Sequence, residues 1–173
     1  MKKIVFYSIA LFLMIAVSTP VLAQGKVKLG HINSNELMEM MPGRDTAQKQ
    51  LEAYAKSLQD QLKVMSNEFD TKYQDYLANE ATYLEPVKQA KQQELVDLQN
   101  RISEFQTQAQ TLLSDKESEL IQPLIDKAKT AIDEVAKENG YTYVFDTGIG
   151  ALIYYQDSGN ITPMVKAKLG ITE

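Results

Sequence analysis

The chain has no cysteine, one histidine (His31) and five prolines in 173 residues. Without cysteine there is neither a disulfide nor a thiol to acylate as a lipoprotein anchor, so stability must come from packing and assembly. A single histidine excludes a multi-histidine metal site or a histidine-based triad within one chain. Three copies of His31 around an axis could hold a metal, but a strand-end residue is the plainer reading. No glycine-rich phosphate loop is present. Glycine is also missing from Asp45 to Asn139, where Pro86 and Pro123 are the only prolines. A stretch that long without breakers is permitted to be helical throughout.

Basic residues are outnumbered. The full chain has 18 Lys and Arg against 23 Asp and Glu. At the N-terminus, Lys2 and Lys3 precede an apolar run from Ile4 to Val17, then Val21-Leu22-Ala23, a small-x-small cleavage pattern. This reads as a secretory signal peptide over residues 1–23, cleaved near Ala23-Gln24. The rival reading is a retained anchor, but a run of 14 residues falls short of the roughly 20 needed to span a bilayer. Removal of two lysines leaves 16 basic against 23 acidic residues, a net charge of −7. An acidic protein is a poor partner for nucleic acid, where neutralising phosphate supplies most of the affinity.

The middle of the chain carries apolar residues in steps of three and four: Leu51, Ala55, Leu58, Leu62, Met65, Phe69, Tyr73 and Tyr76, and later Leu95, Leu98, Ile102, Phe105, Ala109 and Leu112. Leu124, Ala128, Ala131 and Val135 continue the pattern. Such alternation is a coiled-coil seam that must find a partner helix. Asp45 with Gln48 has the form of a cap for the first helix, and Pro86 suits the first turn of the second. The segments 45–79 and 87–122 are nearly equal, which predicts an antiparallel hairpin arm of about 50 Å. Pro123 would mark where the returning helix bends into a body, and it is the hinge candidate.

Strand signals lie at the two ends. Val27 and Leu29 alternate with Lys28 and Gly30; Asn33 with Glu36 has the form of a capping box ahead of a short helix ended by Pro42-Gly43. After Asn139-Gly140 come two strand-like runs, Tyr141–Asp146 and Ala151–Tyr155, which predict a β-hairpin. Thr162 is then expected to cap a last helix with Pro163 at its first position. The strands can share a sheet only if the helices go out and return. Val144, Phe145, Leu152, Ile153, Tyr154 and Tyr155 are apolar on both faces, so other copies of the chain should complete the body.

Shorter motifs have plain readings. Asp146-Thr147-Gly148 matches a fragment of an aspartic protease site, and equally a turn. Asn160-Ile161-Thr162 fits a glycosylation sequon. Tyr73, Tyr76 and Tyr83, near the arm's end, are either seam residues or an adaptable surface for extended apolar clients.

The terminal blocks Val27-Lys-Leu-Gly-His-Ile-Asn33, Ile132 to Asp146, Ala151-Leu-Ile-Tyr154 and Asp157 to Leu169, set around a charged helical middle, resemble the Skp family of OmpH-like periplasmic chaperones. The resemblance implies a homotrimer with a barrel-like central body and three arms around a cavity. Such proteins bind unfolded outer-membrane β-barrel chains in the periplasm, without ATP or another cofactor, and prevent their aggregation until delivery to the membrane assembly machinery. Familiar members have basic arms. Here Asp70, Asp75, Glu80 and Glu85 face Lys72 alone between Asp70 and Val87, so apolar contact must carry more of the binding.

The expected class is thus α+β, mainly α: a helical-hairpin arm (45–122) on a discontinuous β-rich body (24–44 and 123–173) completed by trimerisation. The candidates for client contact are Phe69, Tyr73, Tyr76, Tyr83 and Leu84. Those for the trimer body are Leu29, Ile32, Val144, Phe145, Leu152 and Tyr154. The expected partners are unfolded outer-membrane proteins and the chain itself, with transient contact to a membrane surface, no nucleic acid and no enzymatic activity. The alternative is a structural coiled-coil adaptor that binds one folded partner.

Overall fold

The computed structural model describes residues 27–171; the expected signal peptide and its cleavage point lie outside them. In order come β1 (Leu29–Ile32), α1 (Ser34–Glu39), α2 (Arg44–Asn79), a 3-10 turn (Glu80–Thr82), α3 (Glu85–Glu138), β2 (Tyr143–Asp146), a second 3-10 turn (Asp157–Gly159) and α4 (Thr162–Leu169). The hairpin arm is as expected. α2 and α3 pair antiparallel, and β1 and β2, at opposite ends of that excursion, lie side by side.

The two strands run parallel, with Leu29 opposite Tyr143 and Ile32 opposite Asp146. Parallel neighbours need a long crossover, and the helical arm is that crossover. Gly30 permits their close approach to what lies beneath, since a Cβ there would stand 2.9 Å from the Tyr141 ring and 3.1 Å from Ile161.

The core sits at the base of α3. Ala128, Ala131 and Val135 pack with Ile32 of β1, with Leu37 and Met41 at α1, and with Ile161, Val165 and Leu169 at α4. Leu37, Ile161 and Val165 are fully buried, each worth about 1.5–3 kcal/mol of hydrophobic stabilisation. The seam read from Leu124 to Val135 is therefore the body's contact stripe. α3 ends in a Schellman closure: Tyr141 N–H donates to Ala136 O at 2.9 Å and Gly140, with φ of 68°, to Lys137 O at 3.2 Å.

Three local expectations are corrected. Ala151–Tyr155 forms no strand, and no β-hairpin follows β2. The open edge of β1 is taken by Asn160 and Ile161, whose N–H donates to His31 O at 3.0 Å, while the outer edge of β2, which a hairpin would have used, pairs with no strand of this chain among the described residues. The cap of α2 is Gly43, with φ of 97°, not Asp45; Arg44 N–H donates to Met41 O at 3.1 Å, so the turn backbone supplies the acceptor. Thr162 begins α4 rather than capping it, because the Asn160 side chain accepts from its N–H at 2.9 Å. α3 runs unbroken across Pro123, which is exposed; its missing N–H leaves the Glu119 carbonyl without its helical donor.

Candidate functional site

A two-helix arm has one seam and no third layer to cover it. Along α2 and α3, outside the body, only Ala47, Met65, Tyr76 and Leu98 are buried. Leu51, Leu58, Leu62, Phe69, Leu95, Ile102, Phe105 and Leu112 stay half-exposed. Sequence periodicity thus becomes a continuous, partly solvated apolar strip along both flanks of the arm.

Near the tip the seam ends in a polar clasp. The Tyr76 hydroxyl donates to Glu80 Oε1 at 3.1 Å and accepts from Gln92 at 2.8 Å. Tyr83 lies beside it with its ring tilted by 33°, ring centroids 6.3 Å apart, and donates to Asp75 at 3.3 Å. Lys88 pairs with Glu80 at 2.6 Å, and Lys72 bridges α2 to Glu94 on α3. The bond from Lys88, then that from Tyr76, hold the Glu80 carboxyl below its ordinary value. The Tyr83 hydroxyl is pushed up by partial burial and then by the Asp75 carboxylate.

This geometry separates the client-contact candidates. Tyr76 is buried, with 7% of its surface exposed, and works as packing. Phe69 and Tyr83 are half-buried, Phe69 stacking on Tyr73 with centroids 6.0 Å apart. Tyr73 and Leu84 present real surface, Leu84 at 76% exposure. Leu77 and Val87, also exposed, were not singled out from the sequence; Leu77 follows Tyr76 directly, off the three-four step, and that is the signal that it lies outside the seam.

The body candidates separate likewise. Ile32 belongs to the chain's own core, and Val144 is half-buried against it. Leu29 and Phe145 lie on the sheet's other face with Tyr143, all exposed. Next to them the irregular segment 151–155 exposes Ile153 and Tyr154 almost fully, while Leu152 is half-buried. Tyr143, Ile153 and Tyr155 add to the patch that the sequence candidates only sampled.

His31 fastens that segment to the sheet. Its ring lies 4.5 Å from Tyr155, and its Nε2 donates to Gln156 O at 2.9 Å. Asp146 ends β2 by receiving the Ser34 N–H at 3.1 Å, the Ser34 hydroxyl and the Gly148 N–H at 2.8 Å. Burial alone would raise its carboxyl, but these donors outweigh that and hold it below the ordinary value. A carboxylate so occupied is a structural clasp, and the turn reading of Asp146-Thr147-Gly148 stands. Among the described residues no group of three or more His, Asp or Glu side chains could hold a metal. No helix among them is long and apolar enough to cross a membrane.

Fold and surface together define a class: a small mixed body from which a long, half-solvated helical hairpin projects. The family model "Outer membrane protein (OmpH-like)" matches residues 28–169, and the chain belongs to that family. It is 28% identical over 158 residues to Chaperone protein Skp of Photorhabdus laumondii, covering 87% of this chain and 90% of that one. With Chaperone protein Skp of Pectobacterium atrosepticum it shares 26% identity over 153 residues, 87% and 88% of the two chains. A solved structure, a putative outer membrane chaperone (OmpH-like) of Caulobacter crescentus, superposes with a TM-score of 0.72 at 14% identity, covering 85% of this chain and 86% of that chain. The relatives named here are chaperones, not members of an enzyme class.

Proposed function

We propose that this chain is an ATP-independent holdase of the periplasm, which binds unfolded outer-membrane proteins in a cavity between the arms of a homotrimer and prevents their aggregation. The observation that carries this is the arm's half-exposed apolar strip. A closed core would hide it, and a regular coiled coil would cover it with a partner. Spread along some 50 Å of helix, such a surface holds an extended chain weakly at many points, so that binding is broad yet reversible. Tyr73, Leu84, Leu77 and Val87 carry contact near the tip, with Phe69 and Tyr83 supporting them.

Trimer formation would cover the sheet's exposed face. Leu29, Tyr143 and Phe145 meet the strand-like segment 151–155 of a neighbouring copy, beside the outer edge of β2 that no strand of the same chain takes. Flexing at Pro123 adjusts the cavity to client size. Pro123→Ala restores the missing N–H, and an unchanged spread of arms by small-angle scattering together with an unchanged client range would remove the hinge.

The adaptor reading draws on the ordered clasp at Tyr76, Glu80 and Lys88, which could present a fixed docking surface. Dilution of a denatured outer-membrane β-barrel protein into buffer with the purified mature chain, followed by light scattering with the assembly's mass measured in parallel, decides between them. The holdase suppresses aggregation at about one trimer per client, without ATP. A well-folded trimer that leaves aggregation unchanged sends the search to a folded partner.

A further inference from the structure

Midway along the arm the seam opens on one flank into a cleft of about 350 Å³. Its floor is Ala55, Leu58 and Leu62 from α2 and Ala109 and Leu113 from α3. The opening has a cause in the sequence: alanine stands at 55 and 109, where the same seam elsewhere carries Leu, Met or Phe. All five floor residues are half-exposed.

We propose that this cleft binds an extended, uncharged polypeptide segment with apolar side chains at alternate positions. The proposal rests on the chaperone reading above and gives that reading a site. Three features argue for such an occupant. The rim is made of Gln59, Gln106 and Gln110, and each amide offers both a donor and an acceptor, the complement of an unpaired peptide backbone. No charged side chain lines the cleft, whereas the next one toward the tip is lined by Glu68, Lys72, Glu94, Asp97 and Arg101; a neutral segment is favoured at the first and a charged one must be accommodated at the second. The length fits as well. From Ala55 to Leu62 is about 10 Å at the helical rise, room for two side chains at i and i+2 of an extended strand, about 6.7 Å apart. Alternation of apolar and polar residues in uncharged stretches is the chemistry of an unfolded membrane β-strand.

The test uses the full mature chain and a fluorescein-labelled peptide alternating valine and serine, about ten residues long, the length of one membrane strand. Fluorescence anisotropy reports binding, and aggregation of a denatured β-barrel protein is followed in parallel. Ala55→Leu with Ala109→Leu fills the cleft with groups the seam accepts. The expected result is at least ten-fold weaker peptide binding with Tm unchanged or raised. Because the chain has no cysteine, Gln110→Cys supplies a unique thiol; a bromoacetylated form of the peptide should alkylate it several-fold faster than Glu104→Cys, which is exposed and outside the cleft. Unchanged affinity in the filled variant, or equal alkylation at the two positions, overturns the cleft; if aggregation is still suppressed, the holdase reading survives it. Altered assembly mass in the filled variant with peptide affinity intact makes the cleft a contact between copies, and also overturns the proposal. Peptide bound through the cleft without suppression of aggregation keeps the site and removes the holdase.

Discussion

Helix α3 serves two regions that treat apolar residues differently. At its base, Ala128, Ala131 and Val135 disappear into a core closed by β1, α1 and α4. Along the arm, larger residues such as Ile102, Phe105 and Leu112 find only α2 opposite and remain half in water. Small residues at the base let elements approach from several sides, while large ones on the arm reach across to a single partner. The body is therefore the part that holds the chain folded, and the arm the part with apolar surface to spare. Local stability follows such differences in buried contact, so the arm should also open more readily than the body.

The largest effect that could break this contrast is a matched pair of truncations. Leu37→Ala removes a fully buried side chain and should cost about 3 kcal/mol in denaturant unfolding. Leu62→Ala removes a half-exposed one and should cost about 1 kcal/mol. Equal losses would mean that the arm is as tightly closed as the core, and the case for a client surface along it would fail.

A sharper version concerns the body's own exposed face. Phe145→Glu places a charge on the sheet's outer side, away from Ile32, Leu37 and Val165. Sedimentation or mass photometry should show a trimer replaced by single chains, with secondary structure kept and unfolding no longer dependent on protein concentration. Retention of the assembly by this variant and by Ile153→Asp would place the interface elsewhere.

How far the sequence was readable follows from the range of each signal. The arm's seam, the start of α3 at Pro86 and the closure at Asn139-Gly140 are local patterns, and they appear where periodicity and capping chemistry put them. The fate of Ala151–Tyr155 is not local. Its composition says that it suits a sheet, but not that it will pair: the edge of β1 goes to Asn160 and Ile161 from further along the chain, and the outer edge of β2 beside it goes unused. The cap at Gly43 was hidden because a left-handed glycine after Pro42 competes with an acidic residue two positions on, and the backbone bond to Met41 decides it. Tyr76 was legible in principle: Phe69, Tyr76 and Tyr83 recur every seven residues, the repeat of a seam, and these three are the more covered ones, while Tyr73 keeps a three-four step but falls outside that seven-residue repeat and is exposed.

The smallest expected effect compares two carboxylates whose values both lie below the ordinary range for different reasons. Glu80 owes its shift chiefly to the Lys88 ammonium, an ion pair in water; Asp146 has its shift from neutral donors of Ser34 and Gly148 in a half-buried turn. For both, the folded carboxyl is the stronger acid. Each therefore contributes stability that is present above the unfolded value near 4 and lost as pH falls through the folded value. Salt separates them, because screening weakens a surface ion pair and leaves a hydrogen-bonded carboxylate almost untouched. In NMR spectra recorded as the pH falls from neutral, the ring signals of Tyr76 and Tyr83 should loosen earlier at high ionic strength than at low, while the signals of Ser34 and Gly148 keep one acid transition whatever the salt. Lys88→Gln should make the tip respond at low salt as the wild type does at high salt. If Ser34 and Gly148 shift with salt as the tip does, the clasp at the arm's end and the clasp in the body are of one kind, and the tip gains no separate freedom from its charges.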